Sequence, residues 1–117
     1  MTSPQLRSLF SPDLEPPALP ADTADCCVLF QVSIGPKDGD AEEMFTFEVV
    51  TPRYLGRSGL PRWGRGLLVV ESFSWENVIA ALAALLAQSQ RDSWEDTIEA
   101  LSHEMRWAFA DRKPSST

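Results

Sequence analysis

The sequence predicts an α+β fold: a mostly antiparallel sheet of four to five strands with two C-terminal helices packed on one face. Three observations lead there. Residues 26–34 and 43–50 are both strand-like and flank a turn rich in glycine and charge, as in a hairpin. Residues 75–86 and 94–105 each repeat apolar side chains at helical spacing. Strands come first and helices last, which argues against the alternating order of a doubly wound nucleotide-binding sheet. A chain of 117 residues suits one domain, 1–117, and leaves no room for two independent cores.

In chain order, residues 5–10 read as a short edge strand with Leu6 and Phe10 as its apolar positions, ended by Ser11-Pro12-Asp13. Residues 12–25 hold Pro12, Pro16, Pro17 and Pro20 together with several acids, so they predict an extended acidic loop. Proline lacks a ladder donor and holds the residue before it in β or polyproline conformations. Residues 26–34 are the strongest strand, rich in β-branched and aromatic side chains, and the near-continuous apolar run predicts a central strand covered over most of both faces. Residues 35–40 follow as a turn whose two glycines can take positive φ. Residues 43–50 alternate, with Phe45, Phe47 and Val49 on one side and Met44, Thr46, Glu48 and Val50 on the other, which predicts a half-buried strand.

Thr51-Pro52 stops that strand. Residues 53–65 are irregular, with one helical turn at 52–55, and residues 66–73 resume the sheet. Ser74 caps a helix through about residue 90, with apolar positions at 75, 78, 79, 82, 85 and 86. Ser93 caps a second, whose stripe is Trp94, Ile98, Leu101 and Met105 and whose first turn carries Glu95 and Asp96 at the positive end of the helix dipole. Residues 105–111 fit either a continued helix or a strand. The alternation of Met105, Trp107 and Phe109 with Arg106, Ala108 and Ala110 favours a short final strand, followed by a frayed tail at 113–117.

Composition narrows the function. The net charge of −7 disfavours a phosphate-tracking surface and leaves two readings, a basic partner or plain solubility. Charge is uneven: residues 1–52 carry −7, with Arg7 and Lys37 their only bases, residues 53–66 carry +4, and the rest carry −4. The longest apolar run, residues 78–87, is too short to span a bilayer, and no basic stretch with an apolar core opens the chain. Cys26 and Cys27 are adjacent and point to opposite faces of one strand, so they read as reduced thiols of a cytoplasmic protein.

Catalytic signals are sparse. His103 is the single histidine, and no H-E-x-x-H, C-x-x-C, P-loop or dinucleotide glycine pattern occurs. One histidine and two adjacent cysteines undersupply a zinc site. No cofactor or metal is expected, and an enzyme would have to use Glu71, His103 or a carboxylate pair, as a small hydrolase does. The acids Asp38, Asp40, Glu42 and Glu43 form either a solvated hairpin tip or an acidic finger that meets a basic partner; their spacing lacks the twelfth-position glutamate of a calcium loop. Arg53, Arg57, Arg62 and Arg65, with Trp63 among them, either pair with the acidic surface or contact a partner. Nucleic acid is disfavoured by the net charge, and no membrane contact is expected. Trp75 and Trp94 belong to core stripes, which leaves Trp63 as the better exposed anchor.

The segments Ser33-Ile34-Gly35-Pro36-Lys37, Glu42-Glu43-Met44-Phe45 and Thr51-Pro52-Arg53-Tyr54-Leu55 resemble the signature of the immunity protein 8 family of bacterial polymorphic toxin systems. Ser11-Pro12-Asp13, Ser93-Trp94-Glu95 and Trp107 with Phe109 and Asp111 extend the likeness over most of the chain. The resemblance implies a non-catalytic protein, in polymorphic toxin or contact-dependent inhibition systems, that binds a cognate toxin domain and occludes it. The family tends to carry acids between the last aromatics, where this chain has Ala108 and Ala110. An acidic protein suits a basic toxin, such as a nuclease. The expected contact set is Asp38, Asp40, Glu42 and Glu43 with Arg53, Arg57, Arg62, Trp63 and Arg65. The alternative is an interaction or regulatory subunit unrelated to toxins, and a homodimer through an edge strand is compatible with either.

Overall fold

The computed structural model describes residues 2–58 and 66–107. Their order is β1 (Pro4–Phe10), β2 (Cys27–Pro36), β3 (Glu43–Val50), α1 (Pro52–Ser58), β4 (Leu67–Val69), α2 (Trp75–Gln88), α3 (Trp94–Ser102) and β5 (Arg106–Trp107). The sheet runs β1-β2-β3-β4, with β5 also on β3. All pairings are antiparallel except β3 with β4. The α+β class and the mostly antiparallel sheet stand as the sequence predicts.

Strand β3 forms over its predicted bounds: Phe45, Phe47 and Val49 bury on one face, while Met44 is exposed and Thr46 and Glu48 are half-buried on the other, where only Val50 at the strand's end is also buried. It pairs with β2 from Cys27↔Val50 to Ile34↔Glu43. Across that face Phe30 stacks on Phe47 at 5.4 Å between ring centroids and meets Trp75 edge-on at 5.5 Å. Val78, Leu82 and Leu86 of α2 and Ile98 and Leu101 of α3 close the same core. Ser74 and Ser93 cap these helices, accepting from the backbone N–H of Asn77 at 3.0 Å and of Asp96 at 3.1 Å. Helix α2 ends at Gln88, two residues before its expected end.

Several expectations need correction. Leu6 and Leu9, not Leu6 and Phe10, pack against the core, because a register shift between Leu6 and Ser8 inserts an extra residue and reverses the facing of the strand after it. Phe10 is therefore 57% exposed. Strand β2 buries alternate residues through Val32 and leaves Cys27, Leu29 and Gln31 half-covered, since the core shared with α2 and α3 forms on the face of Val28, Phe30 and Val32. Gly35 belongs to β2 rather than to the turn, and the positive φ among the described glycines is at Gly66, not at Gly35 or Gly39. The helical turn after Pro52 extends to Ser58. The predicted strand over 66–73 shrinks to Leu67–Val69 and runs parallel to β3, beside its last three residues. Ile79 lies off the buried stripe and is 49% exposed.

The second edge of β3 is shared. Residues 48–50 pair with β4, and Phe45 and Thr46 pair with Trp107 and Arg106 of β5. The final strand thus forms as favoured, beginning at Arg106, while Phe109 and residues 113–117, expected to fray, fall outside the described residues. Gly66 is the joint between the two short strands. Its N–H donates to Glu104 O at 2.8 Å, its carbonyl accepts from Glu48 N–H at 2.8 Å, and a Cβ there would come within 3.0 Å of the Arg106 side chain. Its φ of 82° lies in the left-handed region that glycine accepts without strain.

At the other end of the sheet, Thr51 ties two elements together. Its fully buried hydroxyl accepts from Cys26 N–H at 3.1 Å and Tyr54 N–H at 3.3 Å, capping α1 and fixing the entry to β2. Thr51→Val keeps the shape and orphans both donors, so it should cost about 1–3 kcal/mol. Thr51→Ser, which keeps the oxygen, should cost clearly less. Urea denaturation, read as a shift in midpoint at constant slope, checks the order of the two.

Candidate functional site

The turn from Lys37 to Glu42 joins β2 to β3 and projects from one end of the sheet, with Asp38, Asp40 and Glu42 exposed. It is tied to the edge strand. Arg7 of β1 donates through Nη2 to Pro36 O at 2.7 Å and to Gly39 O at 2.8 Å, and Lys37 N–H donates to Ser3 O at 2.8 Å. The approach is close enough that a Cβ on Gly35 would collide with the Ala41 carbonyl and lie 2.8 Å from the Arg7 guanidinium. Arg7 spends its hydrogen bonds on backbone carbonyls, so the three exposed acids keep their charge unpaired among the described residues. Arg7 was not among the expected site residues; the available signal was its position as one of two bases in a strongly acidic segment.

The expected contact residues do not form one cluster. Glu43 begins β3 and is half-buried, and its Oε1 accepts from the Trp107 indole N–H at 2.9 Å, so it fastens β5 rather than standing free on the tip. Arg53 and Arg57 lie on α1, beyond the far end of β3 from the acidic turn. At roughly 3.3 Å per residue, the eight-residue strand separates the two sites by about 23 Å. Arg57 pairs with Asp25 at 2.8 Å and lies over the Tyr54 ring at 5.2 Å, so it meets the acidic surface of the preceding loop. Hydrogen bonding to Asp25 raises its already high pKa. Arg62, Trp63 and Arg65 fall outside the described residues.

His103 is exposed and shares a depression with Asp96, Glu99 and Glu104, whereas Glu71 is not among its lining residues. Among the described residues no group of three or more His, Cys, Asp or Glu could hold a metal ion, and no helix is long and apolar enough to cross a membrane. Cys26 is buried just before β2, and burial, then the nearby Asp22 and Asp25, push its thiol pKa up. That keeps it protonated and a poor nucleophile at neutral pH. Cys27 is half-exposed and donates to Glu48 Oε2 at 3.1 Å.

The family model for Immunity protein 8 matches residues 5–112, nearly the whole chain, and the chain belongs to that family. No curated protein and no solved structure matches it.

The tightness at Gly35 makes the turn testable apart from any partner. Gly35→Ala should destabilise the fold by about 1–3 kcal/mol, because a backbone carbonyl must shift to admit the methyl group. It should also speed amide exchange across residues 37–42 ahead of the strands, which hydrogen-exchange NMR reads directly.

Proposed function

We propose that this member of the Immunity protein 8 family binds a cognate toxin domain in the cytoplasm of the producing cell and blocks it by occlusion, without catalysis or a cofactor. The observation that carries the reading is the family match across residues 5–112. The choice of partner charge rests on the net charge of −7 and on Asp38, Asp40 and Glu42, which have no ion-pair partner among the described residues, at the tip of a clamped turn. Such a surface attracts a basic domain, a nuclease for example, and steers its approach. A turn already held by Arg7 and Lys37 loses little conformational freedom on binding, which favours affinity.

The division of labour within the expected contact set follows from position. Asp38, Asp40 and Glu42 supply charge at the tip. Glu43 acts on the fold through Trp107, and Arg57 acts through Asp25. Arg53, exposed on α1, would meet the toxin only if it also covers the opposite end of the sheet.

The test uses the toxin domain encoded immediately upstream. Pull-down with that domain and rescue of cells expressing it are the expected results; failure of both would sink the immunity reading and favour an interaction subunit unrelated to toxins. The triple substitution Asp38→Lys, Asp40→Lys, Glu42→Lys should slow association by about 10- to 100-fold at low salt and flatten its salt dependence. Stopped-flow association at two ionic strengths measures both, and unchanged rates would remove the turn from the interface.

A further inference from the structure

A second surface lies apart from the acidic turn. The end of β1, the acidic loop after it and the start of α2 enclose a groove of about 750 Å³. Its apolar lining includes Phe10, Leu14, Trp75 and Ile79, and Phe10 and Ile79 are among the few large hydrophobic side chains that stay about half exposed. Leu19, another of them at 55% exposed, follows Ala18, whose carbonyl accepts from the Trp75 indole N–H at 2.8 Å. The lining also includes Asp13 and Glu15 and, among the described residues, no lysine or arginine.

The wall of this groove is built rather than loose. The buried Ser11 hydroxyl accepts from Asp13 N–H at 3.1 Å and Leu14 N–H at 3.3 Å. Asp13 Oδ2 accepts from Leu29 N–H of β2 at 2.9 Å, which pins the loop to the sheet, as Trp75 pins it to α2. A prearranged apolar trough with an acidic rim matches an apolar side chain flanked by cationic ones. A second copy of the chain fits poorly, since two proteins of net charge −7 would bring acidic rims together.

We propose that this groove seats an apolar side chain of the toxin domain flanked by lysine or arginine, and that it anchors the complex while the acidic turn steers it. The proposal rests on the toxin-binding reading above. It divides the interface kinetically: charge at the turn sets association, and burial in the groove sets dissociation.

The experiment compares the full chain with its Phe10→Ala, Ile79→Ser double variant against the toxin domain encoded immediately upstream, by surface plasmon resonance. Dissociation should accelerate at least about tenfold while association changes less than about threefold. A smaller acceleration in a variant that keeps its thermal midpoint and tryptophan emission overturns the proposal. If the double variant does not fold, Glu15→Lys decides, because that exposed side chain has no partner among the described residues. It should weaken binding at least about threefold, and unchanged affinity overturns the proposal. A wild-type chain that does not bind the domain at all removes the toxin reading and this occupant together. A dimer of the chain alone that the double variant dissociates would place a second copy in the groove, which also overturns it.

Discussion

Strand β3 is hydrogen-bonded along both edges: β2 covers one for its full length, and β4 and β5 lie end to end along the other. With both edges filled and Phe45, Phe47 and Val49 buried, a shift of one residue would turn the whole apolar face to solvent. The register of β3 therefore sets the positions of its neighbours. Its start fixes where the acidic turn projects, its end places Thr51 to cap α1, and the short strands beside it depend on Gly66 for their junction.

This arrangement separates structural charge from available charge. Glu43 at the start of β3 belongs to the fold through Trp107, and Arg57 beyond its end is balanced by Asp25. Arg7 holds the turn through carbonyls, which leaves Asp38, Asp40 and Glu42 exposed and without an ion pair among the described residues. The groove beside α2 differs in kind: it offers short-range apolar burial in a wall already fixed by Ser11, Asp13 and Trp75. Long-range attraction and short-range burial thus sit on different parts of one rigid frame.

Much of this was legible in the sequence where local rules decide. The 43–50 alternation located β3 to the residue, and Ser74 and Ser93 marked the starts of α2 and α3, because strand periodicity and capping depend on near neighbours. What escaped depends on distant partners. The parallel pairing of β4 follows from where the chain returns on β3, and the shift near Arg7 follows from its pairing with β2. That shift moved Phe10 from an expected core position to the lip of a groove. Ile79 looked like part of the apolar stripe, yet Val78, Leu82 and Leu86 already fill the face of α2 that meets the sheet. The acidic turn was legible as composition. The roles of Glu43 and Arg57 were not, since each is set by one side chain far away in sequence.

On the proposed reading, a basic toxin domain meets this frame both at its clamped acidic turn and at the separate groove beside α2. Hydrogen–deuterium exchange of the chain with and without the toxin domain encoded immediately upstream tests it most directly. The account predicts slowed exchange over residues 37–42 and over residues 10–15 and 76–80, with the outer face of α3 around Glu99 and His103 unchanged. Protection confined to α3, with the turn and the groove exchanging as in the free chain, would contradict it.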